Sequence, residues 1–243
     1  MMTQQRILAS VNRDDFVGRD AELQEIVRHA SPLTDRRGLV LLAAPGVGGA
    51  ELFRQAYDQL FLRRGEPVPI HFALRPGDNT AAEIARRFFQ NLLQQYLAYR
   101  RVDPSLCEAP LTFHDLVELA LPGDYELVTE MVEGFERERA GNNERDLVQF
   151  CLNAPHRLSS SRRKIFHLID YLDLGPLKDD LVLGQEIGSA IARSGGSFAV
   201  VGLRRHVSLL QAIDDGREAE ETRHLDRLSD DHARRMVEAV ARR

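Results

Sequence analysis

The segment that most constrains the fold is the run LVLLAAPGVGGAEL, which occupies residues 39–52. Its first five residues are continuously apolar, which is typical of a strand buried on both faces of a parallel sheet. A helical pattern with one apolar stripe follows over residues 50–64. A strand joined to a helix by a short glycine-rich turn indicates the opening unit of an α/β fold.

The remaining pattern extends this unit into a sheet with helical crossovers. Further strands are predicted at residues 68–74, 164–170, 198–203 and, as a short fifth strand, around 224–228. Helices are predicted after Arg19, with Asp20 as N-cap, to about residue 31, and over 81–101, 112–121, 125–139 and 144–152. Because helices separate the strands, we expect a doubly wound, mainly parallel sheet of about five strands. A helical insertion, about residues 81–155, would separate strands 2 and 3 of a single domain spanning residues 1–243.

Composition excludes several classes of protein. The chain is 43% apolar and 28% charged, and it lacks both a membrane-length apolar run and the apolar core of a signal peptide. We therefore expect a cytoplasmic protein without a membrane partner. The net charge of −5 gives no general attraction for nucleic acid. Cys107 and Cys151 are expected to be small buried side chains, since no Cys/His set has zinc-ligand spacing.

The glycine-rich turn has the form of a phosphate-binding loop. In such a loop, backbone N–H groups point into one concavity, and the next helix presents the positive end of its dipole. Aligned on G-x-x-x-x-G-K-[ST], the window is residues 43–50, with Gly46 and Gly48 in suitable places. Ala43, Gly49 and Ala50 replace the first glycine, the lysine and the magnesium-binding hydroxyl. The candidate binding residues are Pro45, Gly46, Val47, Gly48, Gly49 and Ala50.

These replacements remove charge while they preserve shape. Without the lysine, no ammonium neutralises the β- and γ-phosphates, an interaction that serves both affinity and catalysis. Glu51 adds a carboxylate in the first turn, where it would repel a phosphate. The alternative interpretation is an ordinary glycine turn between a strand and a helix.

Two further candidates follow predicted strands. Asp170 ends the third strand, at the sheet edge where α/β folds bind ligands and where a carboxylate helps to hold magnesium in nucleotide hydrolases. Asp173 is the nearest candidate to activate water. The alternative interpretation of Asp170 is a helix-capping or loop carboxylate. Arg204 follows the fourth strand and could sense a γ-phosphate or pair with Asp170; the alternative is a surface Arg pair with Arg205.

Together with the sequence FVGRDAEL at residues 16–23, these stretches resemble the STAND and related AAA+ P-loop ATPases. The resemblance covers about residues 14–237 and implies a three-layer αβα core of the P-loop NTPase type. It places Val17, Gly18 and Arg19 at a nucleotide site, the first two beside adenine. It also assigns magnesium binding to Asp170 and an arginine role to Arg204. We expect no lid or winged-helix segment of this family within residues 1–243.

The main hypothesis is a catalytically impaired module that binds ATP and Mg²⁺ weakly or not at all. It would act on another protein or on further copies of itself. The first alternative is an active or slow ATPase in which Lys178 or an arginine supplies the missing charge, with Asp170, Asp173 and Arg204 as catalytic residues. The second is a DNA-binding AAA+ relative, which the Arg doublets favour and the net charge opposes. Apolar helices within residues 81–152 are expected to be core rather than partner-facing surface.

Overall fold

The sheet is parallel throughout. The computed structural model describes residues 6–31, 38–65, 67–75, 78, 80–141, 143–159, 164–170, 197–203 and 220–241. Its strands are β1 (Gly38–Ala43), β2 (Val68–Ala73), β3 (Ile165–Asp170), β4 (Ser197–Gly202) and β5 (Glu220–Leu225). They pair in the order β2-β3-β4-β1-β5, every pair parallel. All five carboxyl ends therefore lie at one edge of the sheet.

Helices cover both faces of this sheet. They are α1 (Asp20–His29), α2 (Gly49–Arg63), α3 (Ala81–Arg101), α4 (Phe113–Glu118), α5 (Tyr125–Ala140), α6 (Glu144–Leu152), α7 (Ala154–Ser159) and α8 (Asp230–Ala241). Short 3₁₀ helices lie at Arg13–Asp15 and Pro104–Cys107. The three-layer αβα arrangement confirms the predicted fold class, and α3 to α7 form the predicted insertion between β2 and β3.

The largest boundary error is at β5. The sequence predicted a strand around residues 224–228, whereas β5 comprises Glu220–Leu225. This strand lies at the edge of the sheet and, of its five residues with described burial, only Leu225 is buried. Apolar patterning therefore had little to detect. The short helix α7 was not predicted, and α4 ends at Glu118, earlier than expected.

The insertion is part of the core. The apolar residues that the sequence left open between core and partner surface are all at most 2% exposed: Phe88, Phe89, Leu92, Leu93, Tyr96 and Leu97. Phe88 packs edge-on against Phe72 of β2, with ring centroids 5.2 Å apart. Phe89 stacks on Phe135 of α5 at 5.3 Å. Helix α3 thus joins the sheet to the helices of the insertion, which confirms the core interpretation.

Both cysteines are free and buried, as expected. Burial raises the pKa of the Cys107 thiol to about 11 and that of Cys151 to about 12. The described residues contain no group of three or more His, Cys, Asp or Glu side chains that could hold a metal ion. Among the helices described, none combines the length and the apolar character needed to cross a membrane.

Candidate functional site

The glycine loop lies at the carboxyl edge of the sheet, where β1 is flanked by β4 and β5. Gly46 has φ +81° and Gly48 has φ +92°, both in the left-handed region. A Cβ atom added to either would meet no other atom within 4 Å. Glycine is therefore required by the backbone conformation here, not by a close neighbour. The loop has an open outer face.

Helix α2 begins directly at this loop. Gly48 is its N-cap, and Leu52 donates the first helical hydrogen bond to the Gly48 carbonyl at 3.0 Å. The first N–H groups of a helix have no acceptor within it, so they are available at such an end. Pro45, Gly46 and Gly48 are exposed and Ala50 is half-buried. Gly49 and Ala50 bring neither an ammonium nor a hydroxyl group to this position.

Arg19 of the FVGR segment reaches the glycine loop, and its guanidinium group donates hydrogen bonds to other groups of the protein. Arg19 is 5% exposed, and its Nη2 donates to the Val47 carbonyl at 3.0 Å and also to the Asp226 carbonyl. Its Nη1 donates to Glu22 Oε1 at 2.8 Å. Arg19 thus ties the loop to α1 and to the segment after β5. This arrangement gives Arg19 a structural role beside the nucleotide role that the resemblance implies.

Gly18 is packed against α8. Its φ is +78°, and a Cβ added there would lie 2.6 Å from Cγ of His232. The neighbouring Val17 is half-buried. The His232 ring therefore occupies the space beside Gly18 that a larger side chain or a ligand would need.

Asp170 shares the sheet edge with the glycine loop. It ends β3, is 3% exposed, and stands in register with Ala73 of β2 and Val201 of β4. Strand β4 lies between β3 and β1, so one strand separates Asp170 from the strand that leads into the loop. Asp173, Lys178 and Arg204 lie outside the described residues.

Glu51 faces the N-terminal segment, residues 7–11, a contact that the sequence did not predict. Its Oε1 accepts from the backbone N–H groups of Ser10 at 3.0 Å and Val11 at 3.1 Å. Two turns later on α2, the carboxylate of Asp58 accepts hydrogen bonds from three further backbone N–H groups. These belong to Ile7, Leu8 and Ala9, at 2.8–3.3 Å.

Both carboxylates of α2 therefore hold this N-terminal segment against the helix. Burial raises the pKa of Asp58, while the backbone hydrogen bonds act in the opposite direction. The contacts of Glu51 compensate its charge locally, which weakens the expected repulsion of a phosphate. The available signal was Asp58 itself, a carboxyl group within the apolar stripe of α2 and seven residues after Glu51.

In chemical terms, the edge offers an open turn with backbone donors and a buried carboxylate one strand away. The guanidinium of Arg19 contacts the turn, and its Nη groups donate to the protein. Comparison with known proteins gives no family assignment: no protein-family model matches the chain, and no curated protein matches it significantly.

Proposed function

We propose that this chain is a regulatory or protein-interaction module of the STAND/AAA+ type in which the nucleotide site is impaired. ATP binds weakly or not at all, because the loop has lost the charges that make binding of Mg-ATP favourable. The observation that carries the proposal is the open loop with Gly46 and Gly48 in left-handed conformations, followed by Gly49 and Ala50 at the start of α2.

The position of Arg19 supports this proposal. A guanidinium close to the loop would be the simplest replacement for the missing ammonium. Arg19 instead donates to two backbone carbonyls and to Glu22, so moving it toward a phosphate would break these contacts. Both carbonyl groups are partly buried, so the loss of their donor would leave them incompletely hydrogen-bonded.

Helix α8 supports the interaction role. Met236 and Val237 are consecutive residues of this helix and are 43% and 63% exposed. Exposed large apolar side chains on a helix are available for contact with another protein. The partner would be another protein or a second copy of this chain.

Titration of the protein with ATP, with and without Mg²⁺, tests the nucleotide part. We expect no magnesium-dependent binding in the micromolar range by calorimetry. In the double variant Gly49→Lys/Ala50→Thr, which restores the ammonium and the hydroxyl, we expect at least a ten-fold gain in affinity that depends on Mg²⁺. The single variant Ala50→Thr is the matched control, since it restores the hydroxyl without the charge.

Micromolar, magnesium-dependent binding by the unmodified chain would contradict the proposal. The slow-ATPase alternative is consistent with the position of Asp170 at the carboxyl end of β3. Steady phosphate release that is lost in Asp170→Asn, with ATP binding retained, would identify that alternative.

A further inference from the structure

A second candidate site lies beside the edge strand β2. Its cavity has a volume of about 650 Å³, within the range of about 300–1,000 Å³ that is usual for small-molecule sites. The described lining comes from five segments: the N-terminal segment, α2, the end of β2, α3 and residues 107–109. The glycine loop contributes none of these residues, so this site does not rest on the function proposed above.

The walls of the cavity are fixed by side-chain amides of α3. Gln95 accepts from the His71 backbone N–H and donates to the His71 carbonyl, both at 2.8 Å. Gln94 donates to the carbonyls of Leu106 at 2.6 Å and Ala109 at 2.8 Å. These bonds hold β2 and the segment after α3 at a set distance from α3. The cavity is therefore formed before a ligand arrives, which lowers the entropic cost of binding.

The amide groups also leave hydrogen-bond acceptors in the cavity. Gln90, like Gln94, uses its NH₂ group on a backbone carbonyl, that of Leu111 at 2.6 Å. Within the described part of the chain, the side-chain oxygens of Gln90 and Gln94 accept no hydrogen bond. Both residues line the cavity, so their oxygens suit a ligand that brings N–H donors.

Four charged residues belong to the lining: Arg54, Arg75, Arg87 and Glu108. Arg87 is neutralised by Asp78 and also donates to the Ala73 carbonyl at 3.0 Å. By contrast, Arg75 and Glu108 are exposed lining residues, and neither forms an ion pair with any other described residue. The cavity therefore presents one guanidinium and one carboxylate that are available to a ligand of opposite charges.

We propose that this cavity binds a small zwitterion, an α-amino acid or a molecule built on one. Arg75 binds the carboxylate of the ligand. Glu108 and the amide oxygens of Gln90 and Gln94 bind its ammonium group, which donates three hydrogen bonds. Arg54 of the lining is already engaged by the protein: its Nη1 donates to Ser10 Oγ at 2.9 Å and lies 3.8 Å from Glu51 Oε2.

Thermal unfolding in the presence of each of the twenty L-amino acids, followed by calorimetry, tests this proposal. We expect at least one amino acid to raise the melting temperature. Its carboxamide, which lacks the carboxylate, and its N-acetyl derivative, which lacks the ammonium, should each bind about ten- to a hundred-fold more weakly. We expect losses of the same size in Arg75→Gln and Glu108→Gln.

Arg86→Gln is the matched control, because Arg86 is an exposed arginine of α3 outside the cavity lining. It should bind the amino acid as the unmodified chain does. The proposal is overturned if none of the twenty amino acids binds, or if the N-acetyl and carboxamide derivatives bind equally well. Unchanged affinity in both Arg75→Gln and Glu108→Gln would overturn it as well. Since both residues are exposed, their substitution leaves the core intact.

Discussion

The glycine loop and the cavity beside β2 obtain their polar groups from different sources. At the loop, two left-handed glycines open the backbone, and Arg19, the cation that reaches it, is held by protein carbonyls. At the cavity, side chains supply the polar groups: the amides of α3, with Arg75 and Glu108. The glycine loop has kept its backbone shape with little charge. The cavity beside β2, by contrast, combines fixed amide groups with available charges.

This difference shows where binding chemistry can be found from a sequence. A glycine loop is local, so Gly46 and Gly48 are recognisable within a few residues of one another. The cavity joins five segments, and Leu8 and Glu108 in its lining are a hundred residues apart. Recognition groups that are distant along the chain produce no motif, even when the fold brings them to one wall.

The largest expected effect concerns the buried histidines on the β2–β3 side. Burial lowers the pKa of His71 to about 3 and that of His167 to about 4. Below pH 6.5 the unfolded chain therefore binds protons that the folded chain does not, so stability falls as the pH decreases. At pH 5 each histidine should reduce the free energy of unfolding by about 2 kcal/mol relative to pH 7.

Urea unfolding at pH 7 and pH 5 measures this loss. The pH dependence should decrease by about half in His167→Leu, which also removes two buried nitrogens that have no hydrogen-bond partner among the described residues. His114→Gln, at an exposed position, is the control and should change little. If neither His71→Leu nor His167→Leu reduces the pH dependence, the acid sensitivity does not arise from these two buried histidines.

The second effect concerns Gln95, which holds the cavity wall and is 1% exposed. In Gln95→Leu the backbone N–H and carbonyl of His71 lose their partner at the outer edge of β2. We expect a loss of about 2–4 kcal/mol in the free energy of unfolding, because two buried polar groups are left unsatisfied. Gln24→Leu, an exposed change on α1, should differ from the unmodified chain by less than about 0.5 kcal/mol. A Gln95→Leu protein as stable as this control would show that the edge of β2 does not depend on α3.

Much of the fold could be predicted because its signals are local. The bounds of α3 were predicted correctly, since its apolar stripe is long and Thr80 caps its first turn. Strand β5 was misplaced because most of its side chains are polar and exposed.

The site was less predictable for a related reason. The glycine loop and Asp170 carry recognisable patterns, and the structure places both at the carboxyl edge of the sheet. The contacts of Glu51 and Asp58 with residues 7–11, and of Gly18 with His232, join segments that are distant along the chain. No spacing rule connects such segments, so only the folded structure shows them.

The smallest expected effect is a difference in stability between alanine substitutions at two glycines that have nearly the same backbone conformation. Gly18 and Gly46 have φ values of +78° and +81°, but only Gly18 has a close neighbour, the His232 ring. Alanine at either position should cost about 1–2 kcal/mol because of the left-handed conformation. Gly18→Ala should cost about 1–2 kcal/mol more, since the new methyl group overlaps the ring.

A double-mutant cycle with His232→Ala isolates the additional cost, because the smaller side chain removes the overlap but not the backbone strain. Equal losses in Gly18→Ala and Gly46→Ala, with no coupling to His232, would mean that α8 does not hold the FVGR segment, and both glycines would then serve the backbone alone.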